Sequence, residues 1–234
     1  MIHFGSKKSV IVLIDPDKVG EKELDKLLEN DHIPFCWFVG GSLLFENTFE
    51  STVSYLKKYS QKPVYIFPGN NLQISKDADG ILFLSLLSGR NPEYLIGQQV
   101  ISAPRIFESK LHSIPTGYIL IDGGKETSVS YISNTKPIPR DKPDIALATC
   151  MAAALLGKQL LYIEAGSGAV DSIPTETIRL IKQHVNLPLI VGGGVRSIET
   201  INALWEAGAD HVVIGNHLEQ HPDFLQSIFK IQKH

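Results

Sequence analysis

Cysteine is scarce: only Cys36 and Cys150 occur among 234 residues, far apart and in apolar surroundings. That excludes a disulfide framework and a cysteine metal knuckle, and makes the reducing cytoplasm the expected compartment. An excess of charge is missing too, since 22 Lys and Arg stand against 25 Asp and Glu for a net charge of -3. The basic footprint of a nucleic-acid binder is therefore lacking, and no nucleic-acid partner is expected. The longest nearly apolar run, residues 145–156, falls short of the ~20 residues that cross a bilayer. No positively charged leader with an apolar core opens the chain, so neither secretion by signal nor a membrane span is expected. HxH, CxxC, HExxH and nucleophile-elbow patterns are all absent, which leaves zinc hydrolysis and serine or cysteine nucleophiles without support. Lysines are rare at strand ends, which argues against a Schiff-base aldolase. His184, His211, His217, His221 and His234 fall on helices, at strand starts or on the tail, and read as surface residues.

What remains is 43% hydrophobic and 20% charged, the composition of a chain that buries a full core. Eight short β-branched runs recur, over 9–15, 35–41, 63–69, 80–86, 117–122, 159–165, 188–194 and 211–216. Helical patterns follow most of them, over 21–30, 46–59, near 92–100, 144–156, 174–185, 198–207 and 222–231. This alternation predicts βα units on a parallel sheet, and eight units in this length predict a single (β/α)8 TIM barrel over residues 1–234. Residues 68–79 are Gly-, Asn- and Asp-rich rather than amphipathic, so the third helix is expected to be missing or reduced. Residues 125–143, rich in Ser, Thr and Pro and carrying Lys136, Arg140 and Lys142, are too polar to bury much apolar surface. They are expected to form a mobile lid that closes over a polyanion.

Barrel enzymes do their chemistry at the C-terminal strand ends. Three of those ends, 163–169, 191–197 and 214–216, are glycine-rich and neighbour one another once the barrel closes. One glycine loop is commonly only a turn, but three together predict a phosphate held by backbone N–H groups. Arg196 either supports that site or forms a surface ion pair. Period-two parity puts Tyr162 and Glu164 on one side of the sixth strand, which makes Glu164 a candidate general base. The competing account is that Glu164 caps a helix or pairs with a lysine. Tyr162 either hydrogen-bonds a substrate hydroxyl or packs in the core. Asp15-Pro16-Asp17-Lys18 at the first strand end, with Ser42 at the second, offers oxygens for a hard cation, although the same four residues make a good turn and helix start.

Read jointly, D-P-D-K, V-G-G-S (39–42), Y-I-E-A-G-S-G-A (162–169), V-G-G-G-V-R-S (191–197), I-G-N (214–216) and T-K-P-I-P-R-D-K-P-D-I-A (135–146) closely resemble the geranylgeranylglyceryl phosphate synthase family, in its archaeal-like branch. The resemblance covers nearly the whole chain in order. It implies an Mg2+-dependent prenyltransferase that joins sn-glycerol 1-phosphate to a polyprenyl diphosphate, leaving an ether and diphosphate. It implies Asp15 and Ser42 as the Mg2+ ligands and the run Tyr162, Ile163, Glu164, Ala165, Gly166, Ser167 and Gly168 as the glycerol phosphate loop. Gly193, Gly194, Gly215 and Asn216 complete the phosphate cradle, and Glu164 receives the hydroxyl proton. An apolar trough for the tail, walled by Tyr65, Phe67 and Leu72, a homo-oligomer, and a peripheral membrane contact through the prenyl product are expected on the same ground. The sequence departs from the family's pattern at Leu13, where some members have lysine, at Leu43, Leu44 and Phe45, and at Asp122-Gly123-Gly124. Another phosphate-binding barrel enzyme, either a sugar-phosphate isomerase using Asp15 and Asp122 or a flavin mononucleotide oxidoreductase, stays open as an alternative. So does a barrel that binds prenyl lipid or phosphate without catalysis.

Overall fold

The computed structural model describes residues 4, 8–46 and 48–232. Eight aliphatic runs form β1 (Ser9–Ile14), β2 (Trp37–Val39), β3 (Val64–Ile66), β4 (Gly80–Leu86), β5 (Ser113–Leu120), β6 (Leu160–Glu164), β7 (Leu189–Gly192) and β8 (His211–Ile214). All pair in parallel and in chain order, and β8 returns to β1 to close the barrel. Alternate residues split into two layers, as the period of two in a strand demands. Ile11, Phe38, Leu82, Leu120, Tyr162 and Ile190 fill the barrel. Val10, Trp37, Ile66, Ile119, Ile163 and Val191 pack outward against the helices.

Those helices are α1 (Glu21–Leu28), α2 (Phe49–Tyr59), α3 (Gln98–Ser109), α4 (Ser128–Ile132), α5 (Pro143–Leu155), α6 (Thr175–His184), α7 (Ile198–Ala207), α8 (Asn216–Gln220) and α9 (Phe224–Gln232). A π-helical turn, Glu93–Gly97, leads into α3. The helical pattern near 92–100 thus continues to Ser109, passing through Pro104, where a proline normally ends a helix. Among the described residues no helix is long and apolar enough to cross a membrane.

No helix follows β3, whose link to β4 is turns and bends. Pro68, which lacks an N–H to continue a ladder, comes two residues after the strand, and β3 pairs with β4 only at Tyr65↔Gly80 and Ile66↔Ile81. The rest of β4 pairs on one side only, with β5 as far as Leu86↔Tyr118. Ile81 N and Leu87 N both donate toward the β5 side, so the alternation turns the Leu84 carbonyl to the open side. There the Gln99 Nε2 amide donates to it. The barrel wall therefore has a side opening above β3.

Two expectations fail here. Residues 125–143 are tied down rather than loose. Asp122 N donates to Ile138 O and Ile138 N to Leu120 O, each at 2.9 Å. Asn91 Nδ2 donates to Ser133 O at 2.7 Å, and Arg140 Nη1 to Ser172 O at 2.6 Å. Thr127, Ser130, Ser133 and Thr135 are buried, with their hydroxyls bonded to backbone or to one another. Polar residues can order a loop when every buried group finds a partner, which an apolar count overlooks. His211, expected on the surface, is fully buried at the barrel floor. Its Nδ1 lies 2.7 Å from Ser9 Oγ and its ring stacks on Phe35 at 4.6 Å. Burial pushes its pKa down to about 4, with Asp210 pulling slightly the other way. His184 and His221 are exposed as expected, and His234 lies outside the described residues.

Candidate active site

Glu164 ends β6 and points up inside the barrel. It is only 6% exposed, and Tyr118 Oη donates to its Oε2 at 2.9 Å. Burial raises its pKa from 4.5 to about 7, against the pull of the Tyr118 bond. Tyr162 lies beneath, stacked on Phe67 with centroids 4.8 Å apart and edge-on to Tyr118 at 5.6 Å. Its ring packs in the inner core, as the core account expects, and the residue also lines the small cavity described next.

That cavity, about 60 Å³, is lined by Gly168, Gly193, Gly194, Gly215 and Asn216 together with Tyr162, Glu164 and Ser167. Gly193 and Gly194 have φ of 81° and 69°, and a Cβ on Gly193 would stand 2.8 Å from both Ala165 N and Gly166 N. Only glycine lets the loops after β6 and β7 meet this closely. Ser167 Oγ donates to Asn216 Oδ1 at 3.0 Å, joining the loops after β6 and β8. Arg196 also lines the cavity. Among the described residues it makes no ion pair but fastens the β6 loop, donating to Val170 O at 3.0 Å and to Ala169 O. Ile163 faces outward into the helix layer, and the side of the loop at Ala165 and Gly166 lines neither cavity.

A second cavity of about 790 Å³ opens beside the first and runs out through the gap above β3. Leu82, Leu86 and Phe67 line it inside the barrel, and Ile81, Phe83 and Ile106 line it beyond the wall. Of the expected trough walls only Phe67 takes part. Tyr65 is buried in the inner core against Phe4, and Leu72 stands 72% exposed. The start of the 125–143 segment roofs this cavity through Glu126, Thr127, Ser128 and Val129, whereas Lys136, Arg140 and Lys142 reach neither cavity. The segment is thus placed as a lid would be, but its later cations do not face the site. Leu13, Glu164, Ser167, Gly215 and Asn216 line both cavities, so Glu164 stands at their junction.

Asp15 and Ser42 line the large cavity near its mouth. Asp15 Oδ2 lies 2.7 Å from Lys18 Nζ. Asp17 lines the cavity too, but its carboxylate accepts from Phe45 N at 2.5 Å and Glu46 N at 3.2 Å, and so shapes the loop after β2. Glu219 on α8 also lines the cavity, its pKa raised by burial despite Lys18. Among the described residues no group of three or more His, Cys, Asp or Glu could hold a metal by itself. A cation that takes one carboxylate and completes its shell with water and a substrate diphosphate fits Asp15 and Ser42. Asp122 lines neither cavity and accepts from Gly124 N at 2.9 Å, so the acid–base pair an isomerase would need is not assembled.

Tyr118 was invisible from the sequence. The one available signal was that position 118 shares parity with 120 in the fifth strand, but only the register Tyr118↔Tyr162 and Leu120↔Glu164 sets its hydroxyl under Glu164. Gln99 lies within the expected helix, but its contact with the Leu84 carbonyl arises only from how α3 packs on β4.

A family model described as the PcrB family matches residues 4–232. The chain is 46% identical to the geranylgeranylglyceryl phosphate synthase of Spirosoma linguale, over 95% of this chain and 90% of that one. It is 47% identical to the synthase of Flavobacterium johnsoniae, over 94% and 92%. It also resembles the crystal structure of (S)-3-O-geranylgeranylglyceryl phosphate synthase from Thermoplasma acidophilum in complex with substrate sn-glycerol-1-phosphate. There the TM-score is 0.90 at 34% identity, covering 97% of this chain and 93% of that one.

Proposed function

The chain belongs to the PcrB family, and from that premise we propose that it is a prenyltransferase that joins sn-glycerol 1-phosphate to a polyprenyl diphosphate such as geranylgeranyl diphosphate. The observation that carries this reading is the position of Glu164, a buried carboxylate where a polar, glycine-walled cavity meets a long apolar one. The small cavity suits a phosphate headgroup, whose oxygens the loop amides would bind. The large one suits a prenyl tail, which gains ~0.8 kcal/mol for each methylene removed from water. With both seated, a glycerol hydroxyl oxygen attacks the allylic carbon that bears the diphosphate. A new C–O bond forms as the bond to diphosphate breaks, diphosphate leaves with the electron pair, and the hydroxyl proton passes to Glu164. Tyr118 keeps the carboxylate oriented, and the apolar lining of the large cavity limits water at the reacting carbon. Mg2+, when bound, would offset the leaving group's charge, with Asp15 and Ser42 as its protein oxygens.

A homo-oligomer, a cytoplasmic location suited to the free Cys36 and Cys150, and contact with a membrane through the prenyl product belong to the same proposal. The test is incubation with labelled sn-glycerol 1-phosphate and a panel of prenyl diphosphates, followed by organic extraction. Label should enter the organic phase only when both substrates and Mg2+ are present. Asp15→Asn should raise the Mg2+ and prenyl diphosphate concentrations required while leaving glycerol phosphate binding in place. Absence of extractable label with every diphosphate would refute the reading.

A further inference from the structure

Lys125 lies between Gly124 and α4, outside the strand-end motifs. Its Nζ stands 3.4 Å from the point a Cβ on Gly168 would occupy, and Asn216 Nδ2 stands 3.8 Å from the same point. Gly168 and Asn216 both line the small cavity. An ammonium and a carboxamide therefore flank one space, left open because position 168 has no side chain. Among the described residues Lys125 forms no ion pair. The cation that lines that cavity, Arg196, has its guanidinium engaged by the Ala169 and Val170 carbonyls. His217 also borders it, but burial holds its pKa down, as do the neighbouring His221 and Arg196. Leu13 also lines the cavity, its Cβ 3.6 Å from the point a Cβ on Gly215 would take. A phosphate seated here would find backbone amides to orient it and, apart from Lys125, little free positive charge.

We propose that Lys125 is the cation of this cradle, reaching over Gly168 to bind the acceptor's phosphate in the cavity that the apolar Leu13 also lines. An ammonium on a flexible stem suits that task, because the glycine-loop amides already fix orientation and only charge is wanting. The proposal rests on the glycerol phosphate reading of the small cavity and adds a ligand contributed by the loop after β5.

Calorimetric titration of sn-glycerol 1-phosphate into wild type, Lys125→Met, Lys125→Arg and the double variant Lys125→Met with Leu13→Lys tests it. Loss of one charge-assisted contact should weaken binding about tenfold or more in Lys125→Met. Lys125→Arg should retain most of the affinity, and Leu13→Lys should restore part of it from its own place on the cavity wall. In steady state the KM for glycerol phosphate should rise while kcat and the KM for prenyl diphosphate hold. Wild-type affinity in Lys125→Met would overturn the proposal and leave the proposed function standing, as would a rise confined to the diphosphate KM. A loss that neither arginine nor Leu13→Lys repairs would assign Lys125 to loop packing and overturn it too. Failure of wild type to bind glycerol phosphate at all would remove both.

Discussion

Glu164 carries the cost of its position. Its pKa of about 7 suits a general base working near neutral pH, and the burial that produces it also affects stability. Between its ordinary value of 4.5 and about 7 the folded protein holds a proton that the unfolded chain releases, so its contribution to stability falls as pH rises through this range. The proposed proton transfer to Glu164 needs the ionised form, so activity should climb over the upper part of the range where stability declines. Glu164→Gln should lower turnover by about 10²-fold or more while leaving glycerol phosphate affinity near wild type. Above pH 7 this variant should melt higher than wild type, and the gap should close below pH 4.5. Thermal melts across pH, read beside initial rates, check both halves, and equal melting temperatures at pH 8 would contradict the buried charge. Parity along one strand was enough to find Glu164 in the sequence. Tyr118 was not, because the stagger between β5 and β6 is a relation between strands that neither one encodes alone.

At the scale of elements, the 125–143 segment is held by hydrogen bonds rather than by an apolar face. In the unliganded protein the amides of Asp122, Tyr131, Ser133, Thr135 and Ile138, all bonded to backbone carbonyls, should exchange slowly, and added ligand should change them little. Hydrogen exchange followed by mass spectrometry reads this directly. Fast exchange across the whole segment that slows only with Mg2+ and a diphosphate analogue would restore a closing lid. The eight strands and the absent third helix could be read from hydrophobic period and turn residues, since both are local properties. The length of α3 could not, because Pro104 is a local stop signal that tertiary packing overrides. His211 misled for a similar reason: a polar ring at a strand start looks peripheral until Ser9, across the seam between β1 and β8, supplies its partner.

For the molecule as a whole, closing the barrel gathers loops from distant parts of the chain around one carboxylate, and shortening β3 gives the site its lateral exit. Glycine-rich strand ends and the gap of the missing third helix were both legible, but the far wall, which β4, α3 and the π-helical turn build together, was not. The two adjoining cavities have a kinetic consequence. On the proposed function each substrate is gripped mainly in one of them, whereas the ether product is tethered in both, and a two-handed ligand leaves far more slowly than either hand alone. Turnover should then be governed by release, with a rapid first equivalent of product before a slower steady rate in quenched-flow measurements. Phospholipid vesicles, offering the tail somewhere to go, should raise the steady rate without altering that first burst. A progress curve linear from the start and indifferent to vesicles would mean the product lets go easily. Otherwise the side opening makes the enzyme a donor to whatever apolar phase lies against it, with the tail departing first and the phosphate following.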